Sequence, residues 1–235
     1  MKTGLPGLNG KYMRLFDDVF RNRRVFITGH TGFKGSWLAL WLHKMGAIVK
    51  GYSLPCQISP GHWDLVNNGI EGISGDIRDI KKLEDEIGIF KPEIVFHLAA
   101  QAIVRQSYQD PVGTYETNVA GTLILYEACR KTDSVKAVVN ITSDKCYDNK
   151  EWIYGYREND SMGGYDPYSS SKGCSELLTS SYRNSFWHPD KYGSDHNVLL
   201  ASCRAGNIIG GGDWALDRLV PDIVRAIASG GEIFI

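Results

Sequence analysis

The stretch "TGHTGFKG" (28–35) constrains the fold more than any other part of the chain. Before it, "RRVFIT" (23–28) reads as a short strand. After it, "GFKGSWLALWLHKMG" (32–46) reads as a helix closed by Gly46. Glycines at such a junction permit a tight turn and bring backbone close to a pyrophosphate, while the helix N-terminus offers free N–H groups and partial positive charge. A glycine triplet alone also suits an ordinary turn, but a strand before and a helix after are the context a dinucleotide site requires. Gly29, Thr31, Gly32, Phe33 and Gly35 are therefore expected to form a nucleotide-binding loop.

The remaining chain repeats the alternation. Strands are predicted at 47–53, 72–77, 93–100, 135–143 and 197–206, and helices around 79–89, after Pro111 and from about Tyr168 to Phe186. Apolar strands without clean alternation, separated by helices, indicate a parallel sheet covered on both faces. The expected fold class is α/β, a doubly wound parallel sheet of Rossmann type. Such sheets bind ligands at the carboxyl ends of their strands, which places Leu98, Ala99 and Ala100 at the nucleotide. Hydrophobic residues make up 43% and charged residues 23%, as in a soluble globular protein.

Four further features carry chemistry. Where an acidic residue about 20 positions after the loop would hold an adenosine ribose, the chain reads "GYSLP" (51–55), with neither acid nor arginine. Asp76, with Ile77 beside it, either meets the adenine side or belongs to a helix cap region. In "YSSSK", Tyr168 and Lys172 share a helix face, and a lysine cation beside a phenol of ordinary pKa about 10 favours the phenolate, a usable base. In "ITSDKCY" (141–147), Ser143 would orient a sugar hydroxyl for Tyr168. Asp144 and Lys145 are there either a surface ion pair or an acid and a base. In "NIIGGGDW" (207–214) and the residues after it, Asn207 follows a strand, and Arg218 faces either phosphates or solvent.

A net charge of −1 gives no electrostatic case for nucleic acid or an anionic membrane. No stretch approaches the roughly 20 apolar residues of a membrane span, and the N-terminus lacks the core of a signal peptide. Five scattered cysteines with no CxxC spacing suggest neither a metal site nor disulfides but buried free thiols, and a cytoplasmic location. Residues 1–12 read as a flexible extension, with Met13 an alternative start, and 13–206 as the nucleotide-binding domain with the catalytic residues.

Taken together, "GHTGFKGSWL", "HLAAQ", "TSDKCY", "GGYDPYSSSKG" and "NIIGGGDW" resemble the extended short-chain dehydrogenase/reductase family, and within it the nucleotide-sugar 4,6-dehydratases. The resemblance runs from about Arg23 to the last residue. It implies NAD as cofactor and a nucleotide sugar as substrate, CDP-glucose in preference to a thymidine sugar. It also implies an internal redox cycle: oxidation at C4, loss of water across C5 and C6, and return of the hydride to C6. Tyr168 is then the base for C4 oxidation, aided by Lys172 and Ser143, and Tyr168 and Lys172 also contact the cofactor. By position Asp144 protonates the leaving hydroxyl. Lys145 stands where related enzymes carry a glutamate base, and either takes the C5 proton or stays charged and stabilises the enolate. Gln101, Asn207 and Arg218 are implied substrate contacts.

Family members are longer than this chain, and their C-terminal part builds most of the sugar-nucleotide portion. The resemblance thus implies that 207–235 only begins that portion and that the substrate domain is largely missing. It also implies a homodimer through the helices after "QDPVGTYETN" and at Tyr168, and a role in deoxysugar formation for surface polysaccharide. An epimerase of the same family, or a nucleotide-binding remnant without turnover, are the competing readings.

Overall fold

In a computed structural model, residues 15–56, 61–67 and 69–232 are described. The expectations for residues 1–12, for Met13 and for the last three residues fall outside them. Six strands, β1 (Arg24–Thr28), β2 (Ile48–Ser53), β3 (Glu71–Ser74), β4 (Ile94–His97), β5 (Ala137–Ile141) and β6 (Leu199–Cys203), form one sheet in the order β3-β2-β1-β4-β5-β6. Every pairing is parallel. The order reverses between β1 and β4, which is where a doubly wound sheet opens a crevice at its carboxyl edge.

Among the described residues eight α-helices accompany the strands: α1 (Phe33–Lys44), α2 (His62–Val66), α3 (Ile80–Phe90), α4 (Val104–Gln109), α5 (Pro111–Tyr115), α6 (Gly121–Arg130), α7 (Pro167–Ser185) and α8 (Leu219–Ser229). A π-helical turn, Glu116–Ala120, joins α5 to α6, so the helix expected after Pro111 is continuous but wound wider in its middle. Each of the predicted strands and helices is present within a few residues. α2, α4 and α8 are additional to the helices expected from sequence.

The central strand explains why its sequence is apolar throughout. Val25 and Ile27 point to one face and pack with Ala39 and Leu42 of α1, whereas Phe26 points to the other and packs with Leu83, Ile87, Leu125 and Val138. Successive strand residues face opposite sides, so a strand covered on both faces needs apolar side chains at every position. Three of the helices, α3, α5 and α7, begin where a short acidic residue caps them. Asp79 accepts from Lys82 N–H, Asp110 from Gly113 N–H and Asp166 from Ser169 N–H, each satisfying a free helix-terminal donor.

β6 lies at the sheet edge and is covered less fully. Cys203 is accordingly exposed, while Cys129 and Cys146 are buried and Cys56 and Cys174 are half-buried. The burial expected of the thiols therefore applies to only part of the set. α8 buries none of its side chains among the described residues, although it is amphipathic.

Candidate active site

The glycine loop leaves β1 and enters α1 with Gly29 at φ +77°. A Cβ on Gly29 would lie 2.7 Å from Ala99 N, in the first turn after β4. Gly35 serves packing rather than contact: a Cβ there would run into the carbonyl oxygen of Gly29. It is buried in α1 and does not line the crevice. Thus one glycine sets the turn beside β4 and the other lets the helix sit on the turn.

The crevice has a volume of about 460 Å³ and lies over the carboxyl ends of β1, β2 and β4. Gly29, Thr31, Gly32 and Phe33 form one wall, and Leu98, Ala99, Ala100 and Gln101 another. Asp76, Ile77 and Arg78 close the far end after β3, and the 212–215 segment with Arg218 borders the remaining side. Eleven residues assigned to nucleotide or substrate from sequence are therefore brought to one cavity: Gly29, Thr31, Gly32, Phe33, Asp76, Ile77, Leu98, Ala99, Ala100, Gln101 and Arg218. Asn207 is not among them and is exposed.

Two of these side chains are held by neighbouring residues. Asp76 does not cap a helix, because Asp79 holds that place. Its carboxylate instead accepts from the backbone N–H of Arg78 and from both Nε and Nη2 of that side chain, at 2.7 to 3.2 Å. Those bonds hold the Asp76 carboxyl below the usual carboxylate range. The Gln101 amide is engaged by its own loop, donating to Ile103 C=O and Thr114 Oγ1, while Gln101 N–H donates to Asn118 Oδ1.

The second group sits between β5 and α7. Ser143 follows β5, is buried, and donates to Asp144 Oδ1 at 3.1 Å, while its oxygen accepts Lys145 N–H. Tyr168 and Lys172 lie one turn apart at the start of α7. Lys172 is buried, and its Nζ donates to Ile141 C=O at 3.4 Å. Burial, reinforced by the charge of Lys34, lowers Lys172 to about 8.

Burial raises the Tyr168 phenol above its ordinary value, and a hydrogen bond with Ser143 and the positive charge of Arg218 pull it back. Asp144 and Lys145 are exposed. Asp144 borders a second cleft of about 560 Å³, together with Tyr147, Tyr156, Arg204 and Gly206.

Sequence reasoning missed three contributors. Lys34, one residue into α1, is charged close enough to Arg218, Asp144 and Lys172 to act on their field. Glu176 and Arg204 form a salt bridge at 2.9 Å beneath the Ser143–Lys145 stretch. Burial opposes ionisation of Glu176, but bonds from Arg204, Thr142 and Ser202 outweigh it and hold the carboxyl low. Glu176 had a signal: it continues the Tyr168–Lys172 stripe by one more helical turn.

A parallel sheet with this strand order, a glycine-lined crevice at its switch point, a serine just past β5 and a tyrosine and lysine one turn apart on α7 define a nucleotide-dependent short-chain dehydrogenase/reductase scaffold. The chain belongs to the GDP-mannose 4,6-dehydratase family, whose sequence profile matches residues 26–192. It is 59% identical over 220 residues to CDP-glucose 4,6-dehydratase of Salmonella typhimurium strain LT2, covering 93% of this chain and 61% of that protein. It therefore spans about three-fifths of that relative's length. Among solved structures it is similar to the UDP-glucose 4-epimerase of Thermus thermophilus in complex with NAD, with 27% identity and a TM-score of 0.75. That likeness covers 89% of this chain and 64% of the epimerase. A double mutant of the dTDP-glucose 4,6-dehydratase of Streptomyces venezuelae, with NAD and DAU bound, shares the fold at 24% identity and a TM-score of 0.76, covering 89% of this chain and 63% of its own.

No helix among the described residues is long and apolar enough to cross a membrane. No group of three potential ligands among them would hold a metal ion.

Proposed function

We propose that the chain carries the NAD-binding and catalytic portion of a nucleotide-sugar 4,6-dehydratase acting on CDP-glucose. The observation that carries the proposal is the placement of Ser143, Asp144 and Lys145 just past the carboxyl end of β5, with Tyr168 and Lys172 one turn apart at the start of α7, in a chain whose glycine-lined crevice lies at the same edge of the sheet. The 59% identity to a CDP-glucose 4,6-dehydratase supports the choice of reaction and of nucleotide.

The crevice suits NAD on its own chemistry. Gly29 leaves room for close backbone approach by a pyrophosphate. The arginine that lines the adenosine end, Arg78, is committed to Asp76 and Glu116. A 2′-phosphate would have to compete with two carboxylates for that charge, which favours NAD over NADP. When bound, NAD supplies the acceptor for the C4 hydrogen and its later return.

The chain's own residues would do the rest. Ser143 holds the C4 hydroxyl, and Tyr168 takes its proton as general base. Lys172 holds a positive charge one turn away. The resulting 4-keto group acidifies the proton at C5. Lys145 removes that proton and Asp144 gives one to the departing 6-hydroxyl, so water leaves with no net change in the protons held by the pair. Arg218, beside the crevice, faces the sugar's phosphates, with Gln101 and Asn207 as further substrate contacts.

We assign 13–206 to the cofactor and the chemistry, and 207–235 to the start of the sugar-nucleotide portion. Exposed apolar residues Tyr108, Val112 and Tyr115 on α4 and α5 support pairing of two copies on that side. The buried thiols of Cys129 and Cys146 suit a reducing cytoplasm, and a keto-deoxy product suits deoxysugar formation.

The test is mass spectrometry of CDP-glucose, dTDP-glucose, UDP-glucose and GDP-mannose after incubation with the chain and NAD+. Loss of one water from CDP-glucose alone is expected. A product of unchanged mass would indicate epimerisation instead, and no product with NAD+ bound would leave a cofactor portion without a working sugar site. Lys145→Met is expected to retain C4 oxidation and block water loss. Water loss near the parent rate in that variant would remove Lys145 as the base.

A further inference from the structure

Glu176 and Arg204 have no part in the reaction as drawn, yet they are built into the site. Glu176 is 5% exposed on α7, one turn beyond Lys172. Its carboxylate accepts from Thr142 Oγ1, from Ser202 Oγ at 2.8 Å and from Arg204 at 2.9 Å. Arg204 also donates to the Tyr147 phenol oxygen at 2.8 Å and to Glu158 C=O at 2.9 Å, and it lies over the Tyr147 ring at 4.9 Å.

Thr142 immediately precedes Ser143, and Tyr147 immediately follows Cys146. One ion pair therefore grips both ends of the Ser143–Cys146 stretch. Ala205, next to Arg204, accepts the N–H of Asp144 at 3.0 Å and holds the middle. Tyr168 and Lys172 are carried by α7, whose start Asp166 caps, and the pair reaches them only through the charge of Glu176 on Lys172 and through Ser143 beside Tyr168.

A buried ion pair is costly to desolvate and is a weak source of net stability. Its retention here matches a demand for fixed geometry. Elimination is the step with that demand, since acid and base must reach adjacent carbons of one sugar, and small misplacements lower rates steeply. We infer that Glu176 and Arg204 are a positioning pair that fixes the Ser143–Cys146 stretch for elimination, setting where the Asp144 carboxyl and the Lys145 amine stand. The inference rests on the dehydration reading, and neither residue is required to touch the sugar.

The experiment compares the parent chain with Glu176→Gln, Tyr147→Phe and the combined variant. Tyr147→Phe removes only the hydroxyl that Arg204 reaches and leaves the ion pair, so it folds if Glu176→Gln does not. Four quantities are read: water loss from CDP-glucose, KM for that sugar, NAD+ affinity, and backbone hydrogen exchange. Losing hydrogen bonds to a charged group is expected to slow water loss about ten- to a hundredfold in Glu176→Gln, with KM within about threefold. Tyr147→Phe shifts the same quantities less, and the combined variant is no slower than Glu176→Gln because both act along one path.

Exchange is expected to quicken over 142–147 and to stay unchanged in β1 and β4. Unaltered water loss would overturn the inference. So would exchange rising evenly across the sheet, or a KM change that accounts for the whole effect. If the parent binds NAD+ but dehydrates no sugar, the dehydration reading fails separately. The exchange pattern then decides the pair's hold on the stretch: a rise confined to 142–147 supports it, and no local rise overturns it.

Discussion

Gly35 shows how a single missing side chain holds the nucleotide loop in place. Its hydrogen faces the carbonyl oxygen of Gly29, and an added methyl has no space there. Gly35→Ala is expected to lose about 1–3 kcal/mol, the usual penalty for overpacking, and to weaken NAD+ binding because Gly29 is the atom group displaced. Urea unfolding and an NAD+ titration check both halves. Full stability with weakened binding would place the strain in the loop alone. His97 argues a pH effect at the same scale. Both of its ring nitrogens are engaged, with Thr28 Oγ1 at 2.7 Å and Thr122 Oγ1 at 3.0 Å. Burial first, and the charge of Lys172 second, lower it from 6.5 to about 3. As pH falls below 6.5 the unfolded chain takes up a proton that the folded chain refuses. Its contribution is thus complete above pH 6.5 and is lost progressively toward pH 3. The fall in the urea midpoint between pH 7 and pH 5 should be smaller in His97→Gln than in the parent.

Among the elements, α7 carries the most function, and its first turn is where it is most vulnerable. Asp166 accepts Ser169 N–H at 2.9 Å and Ser169 Oγ at 2.5 Å, and Pro167 opens the helix. Asp166→Ala is expected to cost about 1 kcal/mol in stability, as lost caps do, and to slow C4 oxidation because Tyr168 sits in the freed turn. Unchanged oxidation despite the lost stability would mean that packing, not the cap, fixes Tyr168. Most elements were legible in sequence because burial on both faces of the sheet leaves an apolar run that little else imitates. The helices missed had weaker signals. α2 and α4 span five and six residues, too few to display a period. α8 has Pro221 in its first turn, where proline is tolerated, but a proline there reads as a loop. The placement of the candidate residues was legible where they are near in sequence, as in the glycine loop that lines the crevice and the one-turn spacing of Tyr168 and Lys172. Thr142, Glu176 and Arg204 lie just past β5, on α7 and just past β6, and only their packing together makes them neighbours. Asp144 and Lys145 were found, but their exposure was not, because sequence cannot say what covers a strand end.

For the whole molecule, the crevice joins parts that are otherwise separate. The loop after β1, the turns after β3 and β4 and the segment after β6 all border it. The segment after β6 is held to α1 by Trp37, whose Nε1–H donates to Gly211 C=O at 3.0 Å, and to α4 by the Arg105–Asp217 ion pair at 2.9 Å. A ligand in the crevice would therefore couple to the sheet and to the region beyond it, and its binding should appear as stability of the whole chain. Ligand that binds only the folded state stabilises by about 2.7 kcal/mol at a hundredfold excess over Kd. For a domain of this size each kcal/mol moves Tm by about 2–4 °C. Saturating NAD+ is thus expected to raise Tm by roughly 5–10 °C. NADP+ should do less, because Arg78 is already held by Asp76 and Glu116. Gly29→Ala should abolish the NAD+ shift, since a Cβ there lies 2.7 Å from Ala99 N. A thermal melt of parent and variant with each nucleotide decides the matter: equal shifts for NAD+ and NADP+ would remove the argument from Arg78, and no shift with either would remove the crevice as the nucleotide site.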